Sequence, residues 1–185
     1  MLRRMDAHSA GIYSVGFSHS DSLLVTGSAD STICQWGVLS GKQIKNAFVG
    51  HKGVVLRVSY NQDDTKILST SSDQTACLWD SDGTLIQQYV GASGWMNDAC
   101  FNFTDDEVIT ASSDKSIRIW GASNGKETVK LDGHLGAVAR LALSEDGTLI
   151  SGDNLGEIKI WRIPTLKSVA DSISTQSAGV SLGEQ

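Results

Sequence analysis

Histidine, serine, aspartate and tryptophan recur in this chain at fixed distances from one another. Trp36, Trp79, Trp120 and Trp161 lie 43, 41 and 41 residues apart. Asp30, Asp73 and Asp114 each stand six residues before the first three of these, and Ser28, Ser71 and Ser112 eight before. His8 and His51 precede their tryptophans by 28 residues and His134 by 27. Serine, histidine and aspartate are the parts of an activated nucleophile, but that chemistry needs one convergent site, and here the full set occurs twice. The same residue types have another use. An indole N–H only donates, a carboxylate only accepts, and a hydroxyl or neutral imidazole does both. They therefore form a directed chain, Trp to Ser to His to Asp, that leaves no buried polar group unpaired. His8, Ser28, Asp30 and Trp36 make one such tetrad, and His51, Ser71, Asp73 and Trp79 a second. Ser112, Asp114 and Trp120 are a third, broken by Ala92 at the histidine position. His134 and Trp161 belong to a fourth, broken by Leu155 at the aspartate position, where Asp153 is a partial substitute.

Other reactive spacings fail on context. Gly179, Ser181 and Gly183 match a nucleophile elbow but have no histidine or aspartate after them. Gly37 and Gly41-Lys42 fall one residue short of a phosphate-binding loop and lack the following Ser or Thr. Asp80-Ser81-Asp82-Gly83 opens like a calcium loop, yet Gly91 stands where the closing glutamate belongs, so a hairpin turn is the simpler reading. Cys34, Cys77 and Cys100 are odd in number and lack zinc spacing, and are read as buried free thiols. No catalytic residue, cofactor or metal is expected.

Composition narrows the partners. The 185 residues carry a formal net charge of -6, the wrong sign for binding phosphates or an anionic membrane directly. No apolar run approaches the ~18 residues of a membrane span, and the first ten residues lack a secretory apolar stretch. A soluble intracellular protein is expected, cytoplasmic in the first instance with the nucleus left open. Nineteen glycines against one proline point to many short elements joined by turns.

Those elements must place the recurring residues. The first unit reads IYSVGFS, LLVTGS, TICQWGV and QIKNAFV, separated by the turn segments HSDS, ADS and LSGK. Short alternating runs rich in β-branched residues are strands, so each unit has four antiparallel strands. The turns at Ser40-Gly41-Lys42, Asp82-Gly83-Thr84 and Asn124-Gly125-Lys126 recur at nearly the same offset after each tryptophan. Cys34 and Cys77, in one register on separate sheets ~10 Å apart, are beyond disulfide reach.

Four strands per repeat of about 40 to 45 residues, with His and Trp at fixed offsets, resemble the WD-repeat family of β-propellers. Gly-His occurs at Gly50-His51 and Gly133-His134, and Trp-Asp only at Trp79-Asp80. The resemblance covers residues 1–171 and implies an all-β propeller segment with blades at about 8–49, 50–91, 92–132 and 133–171. Residues 1–5 would be the outer strand of a neighbouring or closing blade, 166–170 the outer strand of the fourth, and 172–185 a flexible tail. The family's top-face contact positions, carried over, are Gly11, Tyr13 and Ala29; Val54, Leu56 and Ser72; Trp95, Asn97 and Ser113; and Ala137, Ala139 and Asn154. Tyr13, Val54, Leu56, Trp95 and Asn97 are the candidate partner-binding residues. Trp95 alone among the tryptophans lies outside the structural register; the competing reading is that it fills the space left by Ala92 or packs between blades.

The function so implied is a non-catalytic scaffold or adaptor presenting a surface to a protein or peptide within a larger assembly. A propeller enzyme would need carboxylates, histidines or a metal at the central channel, and the aspartates here are already assigned to turns and tetrads. A nucleic-acid-associated subunit acting through partners is a further alternative. Propellers have about 4 to 8 blades. The chain therefore forms either a small closed ring or, as family habit favours, a partial ring completed by something else. The completion would be a second copy in a homodimer giving eight blades, a different partner chain in a hetero-complex, or further sequence of the same gene product.

Overall fold

The computed structural model describes residues 4–6 and 8–163. It is all-β, with no helix among those residues, and its strands form four separate antiparallel sheets, the blades. Blade 1 holds β1 (Ile12–Phe17), β2 (Leu23–Ser28), β3 (Thr32–Gly37) and the two-residue β4 (Phe48–Val49). Blade 2 holds β5 (Val55–Tyr60), β6 (Lys66–Ser71), β7 (Thr75–Asp80) and β8 (Leu85–Val90). Blade 3 holds β9 (Met96–Phe101), β10 (Glu107–Ser112), β11 (Ile117–Gly121) and β12 (Glu127–Leu131). Blade 4 has three described strands, β13 (Val138–Leu143), β14 (Thr148–Asp153) and β15 (Ile158–Arg162). The outer strand expected at 166–170 and the tail at 172–185 lie outside the described residues. Of the segment 1–5, Arg4 and Met5 are described and carry no strand.

The turns explain why each sheet meanders. Asp21, Asp64 and Asp105 take φ of 55°, 61° and 56° at the first hairpin of blades 1 to 3, with Gly147 at 80° in blade 4. Ser31, Gln74 and Lys115 take 69°, 72° and 74° between the second and third strands, with Gly156 at 89°. Asp readily enters the left-handed region, and short aspartate side chains fasten the turns: Asp30 accepts the Thr32 amide at 3.0 Å and Asp73 the Thr75 amide at 3.0 Å.

The core lies between blades. Blade 2 turns Val55, Val58, Tyr60, Ile67 and Trp79 against Val25, Ile33 and Phe48 of blade 1. Met96, Ala99, Val108 and Trp120 of blade 3 pack on Leu68, Ala76 and Leu78. Val138, Leu149 and Ile163 of blade 4 pack on Ile109, Ala111 and Ile119. Blades 2 and 3 thus bury one face on the preceding blade and the other on the following one. Among the described residues the blades do not close into a ring: the backward face of blade 1 and the forward face of blade 4 stay exposed.

Candidate functional site

Blades 1, 2 and 4 are each held by one buried polar chain. In blade 2 the Trp79 indole donates to Ser69 Oγ at 2.8 Å, Ser69 Oγ lies 2.8 Å from His51 Nε2, and His51 Nδ1 lies 2.9 Å from Asp73. With Nδ1–H given to the carboxylate, Nε2 is left to accept the hydroxyl proton. Blade 1 repeats the chain as Trp36, Thr26, His8 and Asp30, with steps of 3.0, 2.7 and 3.0 Å. The hydroxyls are therefore Thr26, Ser69, Thr110 and Ser151, which corrects the assignment of Ser28, Ser71 and Ser112. Both sets lie on the same strand face, but the corrected set sits one step deeper, level with the indole. Ser28, Ser71 and Ser112 end their strands and accept the amides of Asp30, Asp73 and Asp114, each at 3.1 Å, so they close turns instead.

Of the two expected breaks, that in blade 4 is filled, and in blade 3 the aspartate is paired from elsewhere while the chain stays open. Where blade 3 has Ala92, buried Arg118 reaches in and donates to Asp114 at 2.8 Å, while Trp120 donates to Thr110 at 2.9 Å. In blade 4 Asp153 takes the aspartate role fully. It lies 3.1 Å from His134 Nδ1 and accepts the Leu155 and Glu157 amides at 3.0 and 2.9 Å. Asp153 thereby also does the turn-closing work of the serine register. His134, Asp153 and Glu157 offer ligand atoms within 4.8 Å of one another. Asp153 is engaged by His134 and backbone amides, Glu157 Oε1 pairs with Lys159 at 2.8 Å and Oε2 lies 3.5 Å from His134 Nδ1, and the cluster is read as structure.

Hydrogen bonding fixes the charge of the tetrad acids. Burial pushes Asp114 up, but bonds from Ser116, Ser93 and Arg118 overcome it and bring the carboxyl to about 2. Asp153 also falls to about 2, its burial outweighed by the Glu157 and Gly136 amides and His134. Asp30 and Asp73 are held below the usual carboxylate range for the same reasons. Burial pushes the Cys77 and Cys100 thiols up to about 12, which makes them poor nucleophiles.

With the tetrads assigned, the remaining chemistry gathers at the top end of the arc. The register slips once at the start of every inner strand, between Ile12 and Ser14, Val55 and Arg57, Met96 and Asp98, and Val138 and Arg140. The residue left over in each bulge is Tyr13, Leu56, Asn97 or Ala139, and a bulge re-aims its side chain. All four line one cavity of about 510 Å³, together with Trp95, Ser113, Ala137, Arg140 and Asn154. Tyr13 is 61% exposed and Trp95 55%, so Trp95 neither fills the gap beside Ala92 nor packs between blades. Ala92 itself packs on the core of blades 2 and 3.

The other predicted positions differ. Val54 is not among the lining residues; its amide donates to Ser72 Oγ at 2.9 Å. Asn97 lines the cavity, but its amide is engaged, donating to Ser113 Oγ at 3.0 Å and to the Val138 carbonyl at 2.7 Å. Arg140 escaped the sequence reading because it sits one place beyond the carried-over contact register. Its guanidinium donates to the Ala139 carbonyl at 2.9 Å. The signal was available: position 14 of blade 1 and its equivalents read Ser, Arg, Asp, Arg. Arg57 Nε pairs with Asp98 at 3.3 Å across the blade 2 and 3 junction. Burial pushes Asp98 up, against the amides of Leu141 and Ala99 and the charges of Arg57 and Arg140.

Comparison with known proteins agrees with this architecture. The family model described as WD domain, G-beta repeat matches residues 1–37, 41–80, 83–121 and 125–162. Among solved structures, the chain resembles the crystal structure of the computationally designed Ika4 protein. The two share 26% identity and a TM-score of 0.77 over 88% of this chain and 98% of that one. No curated protein matches. Propellers built from these repeats generally bind protein partners and are generally non-catalytic. Four matched repeats laid over four successive sheets establish that this chain belongs to the WD-repeat family.

Proposed function

We propose that this chain is a non-catalytic scaffold that holds a protein or peptide segment across the top of its arc. The observation that carries the reading is the cavity of about 510 Å³ into which the bulge residues of all four blades project, with Tyr13 and Trp95 exposed. Trp, Tyr and Arg are the residue types enriched at binding hot spots. The chemistry favours a segment offering an apolar or aromatic side chain to Trp95 and Tyr13 and a carboxylate to Arg140. The net charge of -6 argues against direct nucleic-acid binding. Three cysteines, an odd number without paired spacing, favour a reducing compartment and so an intracellular, cytoplasmic setting.

The test begins with peptides selected on the wild-type chain from an unbiased display library. Their affinities for wild type and Trp95→Ala are then compared by fluorescence anisotropy. A loss of about 30-fold is expected, equivalent to the ~2 kcal/mol of a hot-spot truncation. Equal affinity for a folded Trp95→Ala would contradict the assignment.

A further inference from the structure

The tetrad of blade 4 departs from the others at one position, and the departure brings metal-ligating groups together. Thr32, Thr75, Ser116 and Glu157 each stand four residues before the tryptophan of their blade. In blades 1 to 3 that side chain is a hydroxyl donating to the tetrad aspartate, at 2.6 Å to Asp30, 2.7 Å to Asp73 and 2.6 Å to Asp114. Blade 4 puts a carboxylate there, which can only accept. Two carboxylates, Asp153 and Glu157, therefore face one imidazole nitrogen, His134 Nδ1, at 3.1 and 3.5 Å. A single Nδ1 proton does not satisfy both: Glu157 Oε2 is buried and accepts no hydrogen bond. With the proton in place the cluster completes the tetrad. We infer that His134, Asp153 and Glu157 also take up one divalent transition-metal ion of the zinc type, which replaces that proton on Nδ1.

The spacing and the ligand types suit such an ion. Zinc binds imidazole nitrogen and carboxylate oxygen at about 2.0 to 2.2 Å, and a tetrahedral set at that length holds its ligand atoms about 3.4 Å apart. The three ligand atoms here lie within 4.8 Å of one another, the only such group of three His, Cys, Asp or Glu side chains among the described residues. His134 and Asp153 are fixed, their side chains 1% and 0% exposed. Glu157 is 40% exposed, so it has room to close the remaining gap and leaves a coordination position open to water. Lys159 holds the far oxygen, Oε1, at 2.8 Å, which keeps Oε2 turned inward. Calcium takes six to eight oxygens and magnesium an octahedron of them, so an imidazole among three protein ligands selects against both.

The surroundings accommodate the exchange. A metal-bound imidazole donates its other ring N–H to a fixed acceptor. His134 Nε2 lies 2.7 Å from Ser151 Oγ, which also accepts the Trp161 indole at 2.8 Å. A hydroxyl oxygen has two lone pairs, so it takes both N–H groups once the ring proton sits on Nε2. The hydroxyl proton then turns to the Lys159 carbonyl, the counterpart of the Cys77 carbonyl that Ser69 Oγ meets at 3.3 Å. Asp153 does not depend on the displaced proton, because the amides of Gly136, Leu155 and Glu157 hold it at 3.1, 3.0 and 2.9 Å. Blades 1 and 2 lack this arrangement. Cys34 and Cys77 lie 4.0 Å from Nδ1 of His8 and His51, but burial keeps those thiols protonated and a threonine stands where blade 4 has Glu157. An ion in blade 4 would tie the connection that carries His134 to both strands of the β14–β15 hairpin.

Isothermal titration of zinc chloride into the untagged chain near neutral pH is expected to show one site per chain, with no comparable heat from calcium or magnesium. Long-range proton–nitrogen NMR spectra of the four histidines locate it. On zinc addition His134 Nδ1 is expected to take a metal-bound shift and the ring proton to appear on Nε2. Glu157→Thr installs the hydroxyl type that the other blades carry, so its circular dichroism spectrum is expected to be unchanged. Its zinc affinity is expected to fall by at least about 100-fold, the upper end of the loss on removing an outer-shell partner. No zinc binding, equal heat from calcium, a response confined to His8, His19 or His51, or full affinity in folded Glu157→Thr overturns the inference. If that variant does not fold, the wild-type histidine spectra decide alone, and none of these readings depends on peptide binding.

Discussion

Thr26 and Ser28 show how far a spacing pattern reaches at the scale of one residue. Successive alternate residues of a strand share a face, so both hydroxyls point the same way and both recur at a constant offset from tryptophan. Only the hairpin register separates them: Thr26 pairs with Cys34, beside Trp36, whereas Ser28 ends the strand. Blade 4 held the clue, since there the outer position is Asp153 while Ser151 stays a hydroxyl. Ser69→Ala is expected to cost about 2 kcal/mol because it orphans both the His51 and the Trp79 ring nitrogens in the interior, against about 1 kcal/mol for Ser71→Ala. Urea unfolding followed by tryptophan fluorescence checks the order; equal costs would return the tetrad role to Ser71. The tetrad acids also set the response to pH. Each is more acidic folded than unfolded, where aspartate titrates near ~3.9, so the native state binds fewer protons. Their contribution is complete above about pH 4 and drains as pH falls toward the folded values, about 2 for Asp114 and Asp153. The urea midpoint is therefore expected to fall steadily from about pH 4 to about pH 2, and a flat midpoint over that interval would contradict the hydrogen-bond assignments.

Among the elements, the inner strand carries the most information and hid the most. Four strands per repeat were legible because apolar alternation and turn residues repeat with the tryptophans. The bulge that opens each inner strand was not, since an extra residue leaves the repeat length unchanged when every blade has one. Its products were reached only as contact positions of a resembling family, and Arg140, one place further on, was passed over. The second strand offers an internal comparison. Gly27 and Gly152 share a register, yet one meets Val55 and the other meets open space. Gly27→Val is expected to destabilise the fold by about 2 kcal/mol through overpacking. Gly152→Val is expected to leave the fold intact, because valine suits an exposed strand. Thermal melts compare the two variants; equal losses would contradict the close packing at Gly27.

Seen as a whole molecule, the described residues form an arc with a packed interior. Its three junctions bury the apolar faces that the strand pattern foretold, and the two remaining faces, on blades 1 and 4, are exposed among the described residues. The sequence reading left ring closure open because periodicity counts blades without saying where the first meets the last. Phe17 and Ile160 stay exposed, so the described residues by themselves do not close a ring. The curvature that separates those ends also brings Tyr13, Leu56, Asn97 and Ala139 around one cavity, and the function rests on that convergence. Hydrogen–deuterium exchange of the chain with and without a selected peptide tests it most directly. Added protection is predicted in the segments 11–13, 54–56, 95–97 and 137–140, around the four bulges; protection confined to the lower hairpins at 18–22, 61–65 and 102–106 would contradict it.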